Sequence, residues 1–132
     1  GASVIFIGAE EDRDVVAGVI SKMKHKPANL AGRTNIRQLA GLLKRAKLII
    51  TNDSAPLHLA CAVGAKVLAI FGPTHADKYG PTGELDIVIS TKLSCTPCEG
   101  AACSQNYECM KLVPQDEVFE TARLMVEGYE EE

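Results

Sequence analysis

Six consecutive residues, Asp53-Ser54-Ala55-Pro56-Leu57-His58, put a carboxylate, a hydroxyl and an imidazole at what reads as the mouth of a helix. The chemistry such a constellation suits is the holding of an anion. A short apolar run from Lys47 to Ile50 has strand length, and Thr51-Asn52 breaks it into a polar turn. Ser54 or Ala55 suits the N-cap, and Pro56 suits the first turn, where its missing N–H costs nothing. Leu57, Ala60, Cys61 and Gly64 then keep helical spacing, with Gly64 placed to end the helix. A strand feeding a tight turn into a helix directs free backbone N–H groups and the positive end of a dipole at solvent. Phosphate is the usual guest of such a site. A carboxylate beside a diphosphate is repelled, so Asp53 is expected to cap the helix, to hold a Lys or Arg, or to bind sugar hydroxyls. The plainer reading makes Asp53 and Ser54 caps and His58 a surface residue.

The elements that must position these groups alternate between strand and helix. Val4 to Ile7 is a continuous apolar run, expected to be a strand covered on both faces, and it ends in the turn Gly8-Ala9-Glu10-Glu11-Asp12. Val16, Val19, Ile20 and Met23 keep helical spacing. Ala28 to Ala31 reads as a short strand closed by Gly32. Asn35 with Gln38 resembles a capping box ahead of a helix with Leu39, Leu42, Leu43 and Ala46 on its buried stripe. Lys66 to Phe71 is a second strand buried on both faces, running into Gly72-Pro73-Thr74. A loop through Tyr79-Gly80-Pro81 leads to a last strand, Asp86 to Ser90. Residues 95–113 read as an irregular Cys-rich loop, and residues 114–128 as a closing helix with Val118, Ala122 and Met125 inward. Glu130 to Glu132 is expected to be a solvated tail.

This alternation predicts an α/β fold: a Rossmann-like parallel sheet with helices on both faces, in a single domain of 132 residues. Right-handed crossovers place the C-terminal ends of the strands on one edge, where ligands of such sheets bind. The aliphatic, aromatic-poor composition (46% apolar, 5% aromatic) suits this fold, and a net charge of −3 provides no basic footprint for nucleic acid. The basic clusters at Lys22-Met23-Lys24-His25-Lys26 and Lys44-Arg45-Ala46-Lys47 are expected at helix ends. No apolar run has the length of a membrane span, and the first residues read as a strand already under way rather than a signal peptide. A fragment of a longer, cytoplasmic protein is expected.

Neither a G-x-G-x-x-G after a strand nor a P-loop occurs, which argues against dinucleotide oxidoreductase and P-loop chemistry. Ser54 also lacks the G-x-S-x-G setting of a nucleophile elbow. Cys61 reads as a small core residue. Cys95, Cys98, Cys103 and Cys109 form a C-x2-C-x4-C-x5-C cluster that could close a structural Zn site, or remain reduced thiols in a loop.

With these residues assembled, the chain resembles the C-terminal half of glycosyltransferase family 9, the ADP-heptose:lipopolysaccharide heptosyltransferases. The resemblance runs from about Val4 to the final helix. It is carried by Asn52 to His58, by Phe71-Gly72-Pro73-Thr74 with Tyr79-Gly80-Pro81, and by Cys95-Thr96-Pro97-Cys98 leading to Cys109-Met110. Leu30-Ala31-Gly32-Arg33-Thr34 also fits.

The resemblance implies the C-terminal half of a GT-B fold that binds the donor, a nucleoside-diphosphate sugar such as ADP-heptose, with no cofactor required. Asp53, Ser54 and Ala55 would face the diphosphate and sugar with His58 behind them, and Gly72 and Thr74 would complete that edge. The turn after the first strand, with Gly8 and Glu11 as its contacts, would offer an acid to the ribose, the choice among Glu10, Glu11 and Asp12 remaining open. The backbone around Thr34 would border the adenine.

No catalytic residue is expected here. The base and acceptor site would lie in an N-terminal domain of the same protein, and the lipopolysaccharide-type acceptor at the inner-membrane surface. This part alone should bind donor weakly and turn nothing over. Ala55 replaces the family's usual Gly, and His75 its usual Asp after Gly-Pro-Thr. Two other classes fit less of the pattern: a sugar-nucleotide epimerase or hydrolase of the same fold, and a non-catalytic interaction module built on the cysteines.

Overall fold

The computed structural model describes residues 2–128; the acidic tail expected at Glu130–Glu132 lies outside them. Where one domain is expected, the chain divides into two compact units, Gly1–Leu39 and Ala40–Glu132.

In the first unit, β1 (Ile5–Phe6) and β2 (Ala28–Asn29) pair in parallel, with a 3-10 turn (Glu10–Asp12) and α1 (Arg13–Ser21) between them. The strands are shorter than the apolar runs imply, although Leu30 still donates its N–H to the Phe6 carbonyl at 2.9 Å. Val4 and Ile5, expected to be covered on both faces, are 45% and 43% exposed, because a two-stranded ladder has too little sheet to cover them. Asn35 and Gln38 do form a capping box, each side chain accepting the other's backbone N–H at 2.9–3.0 Å, ahead of α2 (Ile36–Arg45).

The second unit holds β3 (Ile49–Asn52), α3 (Ala55–Ala62), β4 (Val67–Phe71), α4 (Ala76–Tyr79), β5 (Ile87–Ser90), α5 (Glu108–Lys111) and α6 (Gln115–Glu127). The three strands are parallel in the order β3-β4-β5. The strands form the parallel α/β arrangement expected, with hydrogen bonds dividing the described strands into a two-stranded and a three-stranded sheet.

The central strand β4 is buried along its length, with Val67, Leu68, Ala69 and Phe71 at 1% exposure or less. Leu68 and Ile89 share one face with Met125 of α6, and Val118 and Ala122 pack against them, as the helical spacing implies. The Lys66 ammonium donates to the Met125 carbonyl at 2.9 Å, satisfying a C-terminal carbonyl of α6 and the negative end of its dipole. Helix α3 packs on β3 and β4 and buries Leu57 and Ala60 fully.

That helix ends in a Schellman motif. The Ala65 N–H reaches the Ala60 carbonyl at 3.0 Å, the Gly64 N–H reaches that of Cys61 at 3.1 Å, and Gly64 takes φ +71°. The strand-turn-helix at the centre of the unit thus forms where the sequence puts it. Two four-residue helices, α4 and α5, lie in segments expected to be loop.

Candidate functional site

The turns after β3 and β4 leave the same edge of the sheet, because Thr51 pairs with Ala69 and Asn52 with Ile70. They bring Asp53, His58 and Thr74 into one cleft of about 500 Å³, whose remaining walls are Pro73, Tyr79, Glu99 and Gly100. That volume falls within the range of small-molecule sites.

At the start of α3, Ser54 occupies the N-cap with extended φ −159° and ψ 171°, but its hydroxyl does not cap. It lies 3.3 Å from the Thr51 hydroxyl and 3.3 Å from the Asn52 carbonyl instead. Asp53 does not cap either, and its Oδ1 stands 3.7 Å from Nε2 of the more exposed His58. Pro56 has no N–H, and the Leu57 N–H already donates to the Ser54 carbonyl at 3.0 Å. Among the described hydrogen bonds, the backbone N–H groups of Ser54, Ala55 and His58 have no partner; of these residues only His58 lines the cleft. The Thr74 hydroxyl is buried beside the cleft with no hydrogen-bond partner, a condition a ligand oxygen would relieve.

Gly72 does not line the cleft. A Cβ there would lie 2.6 Å from Met110 Sδ and 3.1 Å from Cys109 Sγ, so this glycine is where α5 rests on the end of β4. Next to it, the Pro73 carbonyl accepts two backbone N–H groups, from Cys98 at 3.0 Å and Glu99 at 2.9 Å. These contacts bind the cysteine segment to the sheet edge and bring Glu99 to the cleft. Tyr79 arrives on α4, with the Lys78 ammonium 4.8 Å from its ring centroid. Interaction with the Tyr79 side chain, and after that with the Glu99 carboxylate, raises the Lys78 pKa.

The four clustered cysteines line one small cavity, yet among the described residues no group of three or more His, Cys, Asp or Glu side chains is placed to hold a metal ion. The four thiols differ in their surroundings. Cys103 Sγ accepts the N–H groups of Gln105 at 3.3 Å and Tyr107 at 3.2 Å. Cys109 is buried against Gly72, and Cys95 and Cys98 are exposed. Cys61 is half-buried rather than core, and burial, followed by the Asp86 carboxylate, raises its thiol pKa. Alkylation with iodoacetamide at pH 8 followed by peptide mass mapping is expected to modify Cys95 and Cys98 at least tenfold faster than Cys61, since the thiolate is the reactive form. Equal rates would contradict this placement.

Gly8, Glu11 and Thr34 lie in the first unit. There the Asp12 carboxylate accepts the Ala9 N–H at 2.8 Å, and Glu10 is paired with Arg13 at 2.6 Å. Among the described residues, Glu11 has neither an ion pair nor a side-chain hydrogen bond. Gly32, at φ +66°, donates to the Gly8 carbonyl at 2.9 Å, and Arg13 Nε donates to the Ala31 carbonyl at 3.2 Å. Sequence reasoning missed Tyr79, Glu99 and Gly100 as cleft residues; the one available signal was an acid placed in the turn Pro97-Cys98-Glu99-Gly100.

The sequence pattern of glycosyltransferase family 9 (heptosyltransferase) matches residues 1–108. Lipooligosaccharide heptosyltransferase 2 of Campylobacter jejuni serotype O:2 is 32% identical over 112 residues, covering 83% of this chain and 35% of that protein. Lipopolysaccharide core heptosyltransferase OpsX of Haemophilus influenzae is 30% identical over 90 residues, 67% of this chain and 26% of the relative. The chain thus spans about a third of the length of the curated relatives it matches.

Among solved structures, the family 9 glycosyl transferase of Veillonella parvula superposes with a TM-score of 0.80 at 27% identity, over 96% of this chain and 37% of the other. E. coli ADP-heptose LPS heptosyltransferase II shares the fold, with a TM-score of 0.75 at 24% identity over the same shares. With the family pattern spanning most of its residues and the cleft at the C-terminal edge of its parallel strands, this chain belongs to glycosyltransferase family 9, the heptosyltransferases.

Proposed function

We propose that the chain is the donor-binding part of a glycosyltransferase that moves heptose, or a similar sugar, from a nucleoside diphosphate to a lipopolysaccharide-type acceptor. The observation that carries this reading is the convergence of Asp53, His58 and the unpartnered Thr74 hydroxyl in one cleft at the opening of α3. Family membership and the heptosyltransferase activity of the relatives point the same way.

In such a transfer an acceptor oxygen displaces the nucleoside diphosphate at the anomeric carbon, so negative charge grows on the leaving group. Here the Ser54 and Ala55 N–H groups and the Thr74 hydroxyl would receive that charge, with His58 as a further donor. No metal is needed for this task. A base from outside this chain would take the acceptor proton. The whole protein would have the two-domain GT-B arrangement. It would work in the cytoplasm against the inner-membrane surface without spanning it; no described helix is long and apolar enough to cross a membrane.

Titrating the chain with ADP, UDP, GDP and CMP, monitored by amide chemical shifts, is expected to move the resonances of residues 53–58 and 74. Weak binding, with Kd around 1 mM, and ADP as the preferred nucleotide are expected. Silence of these resonances with every nucleotide would refute the reading, as would sugar transfer catalysed by this chain alone.

A further inference from the structure

We infer that Glu99 is a sugar-recognition residue, so that the cysteine segment supplies the wall of the cleft that distinguishes a nucleotide-sugar from its nucleotide. The inference rests on the donor reading above and assigns the part of the donor that Glu99 meets. Three observations carry it. Glu99 lines the cleft together with Asp53, Thr74 and Tyr79. Its backbone is held at φ +49°, a region non-glycine residues rarely occupy. Such a conformation persists only where the surroundings enforce it, and here the Pro73 carbonyl does so by accepting the N–H groups of Cys98 and Glu99. The side chain is exposed, so packing does not explain its placement.

The chemistry then selects the ligand group. A carboxylate accepts hydrogen bonds and donates none, and it repels phosphate. The group it can recognise in a nucleoside-diphosphate sugar is a pair of neighbouring sugar hydroxyls, both donating to it. The cleft would then be divided by chemistry, with backbone N–H groups and the Thr74 hydroxyl serving the phosphates and Glu99 serving the sugar.

Glu99→Gln keeps the shape, removes the charge and exchanges one acceptor oxygen for a donor. Affinities of the wild-type chain and of E99Q for ADP and for ADP-heptose, measured by NMR titration, test the assignment. The expected result is about tenfold weaker binding of ADP-heptose to E99Q, together with ADP binding that is up to threefold tighter. A parallel fall for both ligands would make Glu99 a general structural support, and no change for either would place it outside the contact; both outcomes overturn the inference. Glu99→Gly, which relieves the φ +49° conformation, should lose ADP-heptose as E99Q does. Retained ADP-heptose affinity in E99G would equally overturn it. Should the wild-type chain bind neither ligand, the donor reading itself fails and this assignment with it.

Discussion

Gly72→Val is expected to destabilise the chain by about 1–3 kcal/mol and to weaken nucleotide-sugar binding at least tenfold. The new side chain would enter space held by Met110 and Cys109, with its Cβ 2.6 Å from Met110 Sδ, 3.0 Å from Met110 Cγ and 3.1 Å from Cys109 Sγ. Methionine is flexible and can swing aside, so Gly72→Ala should show only part of the effect. The buried Cys109 thiol has no such freedom, and the branched side chain of valine must push α5 away from the end of β4. That displacement pulls on the Cys98 and Glu99 hydrogen bonds to Pro73, which shape the cleft. Urea denaturation and an ADP-heptose titration of the same protein check both halves of the expectation. A variant with wild-type stability and affinity would show that the cysteine segment is not rested on Gly72.

The second large effect is expected at Asp53. Removing its carboxylate by Asp53→Ala should weaken nucleotide-sugar binding about 10–100-fold, since a hydrogen bond to a charged group contributes about 1.5–3 kcal/mol. Two losses combine in that variant: the acceptor proposed for the sugar and the partner lying 3.7 Å from His58. Asp53→Asn retains an acceptor oxygen and should recover part of the affinity. Stability should fall little, because Asp53 makes no capping hydrogen bond. A binding isotherm indistinguishable from wild type would remove Asp53 from the site. A large loss of stability would mean that the carboxylate supports the turn instead.

Much of the second unit was legible in the sequence because its elements are long enough to show a period. Val67 to Phe71 is an unbroken apolar run in a strand buried on both faces, and Leu57, Ala60 and Gly64 mark one face and the end of α3. Helices α4 and α5 were not legible, since four residues make a single turn and reveal no periodicity. The parallel α/β class was legible, but the division of its strands into a two-stranded and a three-stranded ladder was not. Alternation of strand and helix establishes the class of fold but not which strands share hydrogen bonds.

At the cleft, Asp53 and Thr74 closely follow strand ends and His58 stands in the first turn of α3, positions that the strand-turn-helix pattern makes visible. Glu99 was missed because its position depends on a carbonyl 26 residues earlier in the chain, at Pro73. The metal expectation rested on cysteine spacing alone. Spacing does not report that Cys103 is occupied by two N–H groups or that Cys109 is packed under a strand end.

The clamp at Pro73 has an engineering consequence. The Cys98 and Glu99 N–H groups tie the cysteine segment to the sheet edge through one carbonyl, and these two bonds do not depend on which side chains the residues carry. The Thr96 hydroxyl, bonded to Leu93 and Thr91, is by contrast a side-chain anchor that a replacement must keep. Such a segment can be exchanged as a cassette between relatives while the framework beneath it stays intact. If Glu99 meets the sugar as inferred above, chimeras that keep the Thr96 anchor would redirect donor choice without re-engineering the sheet.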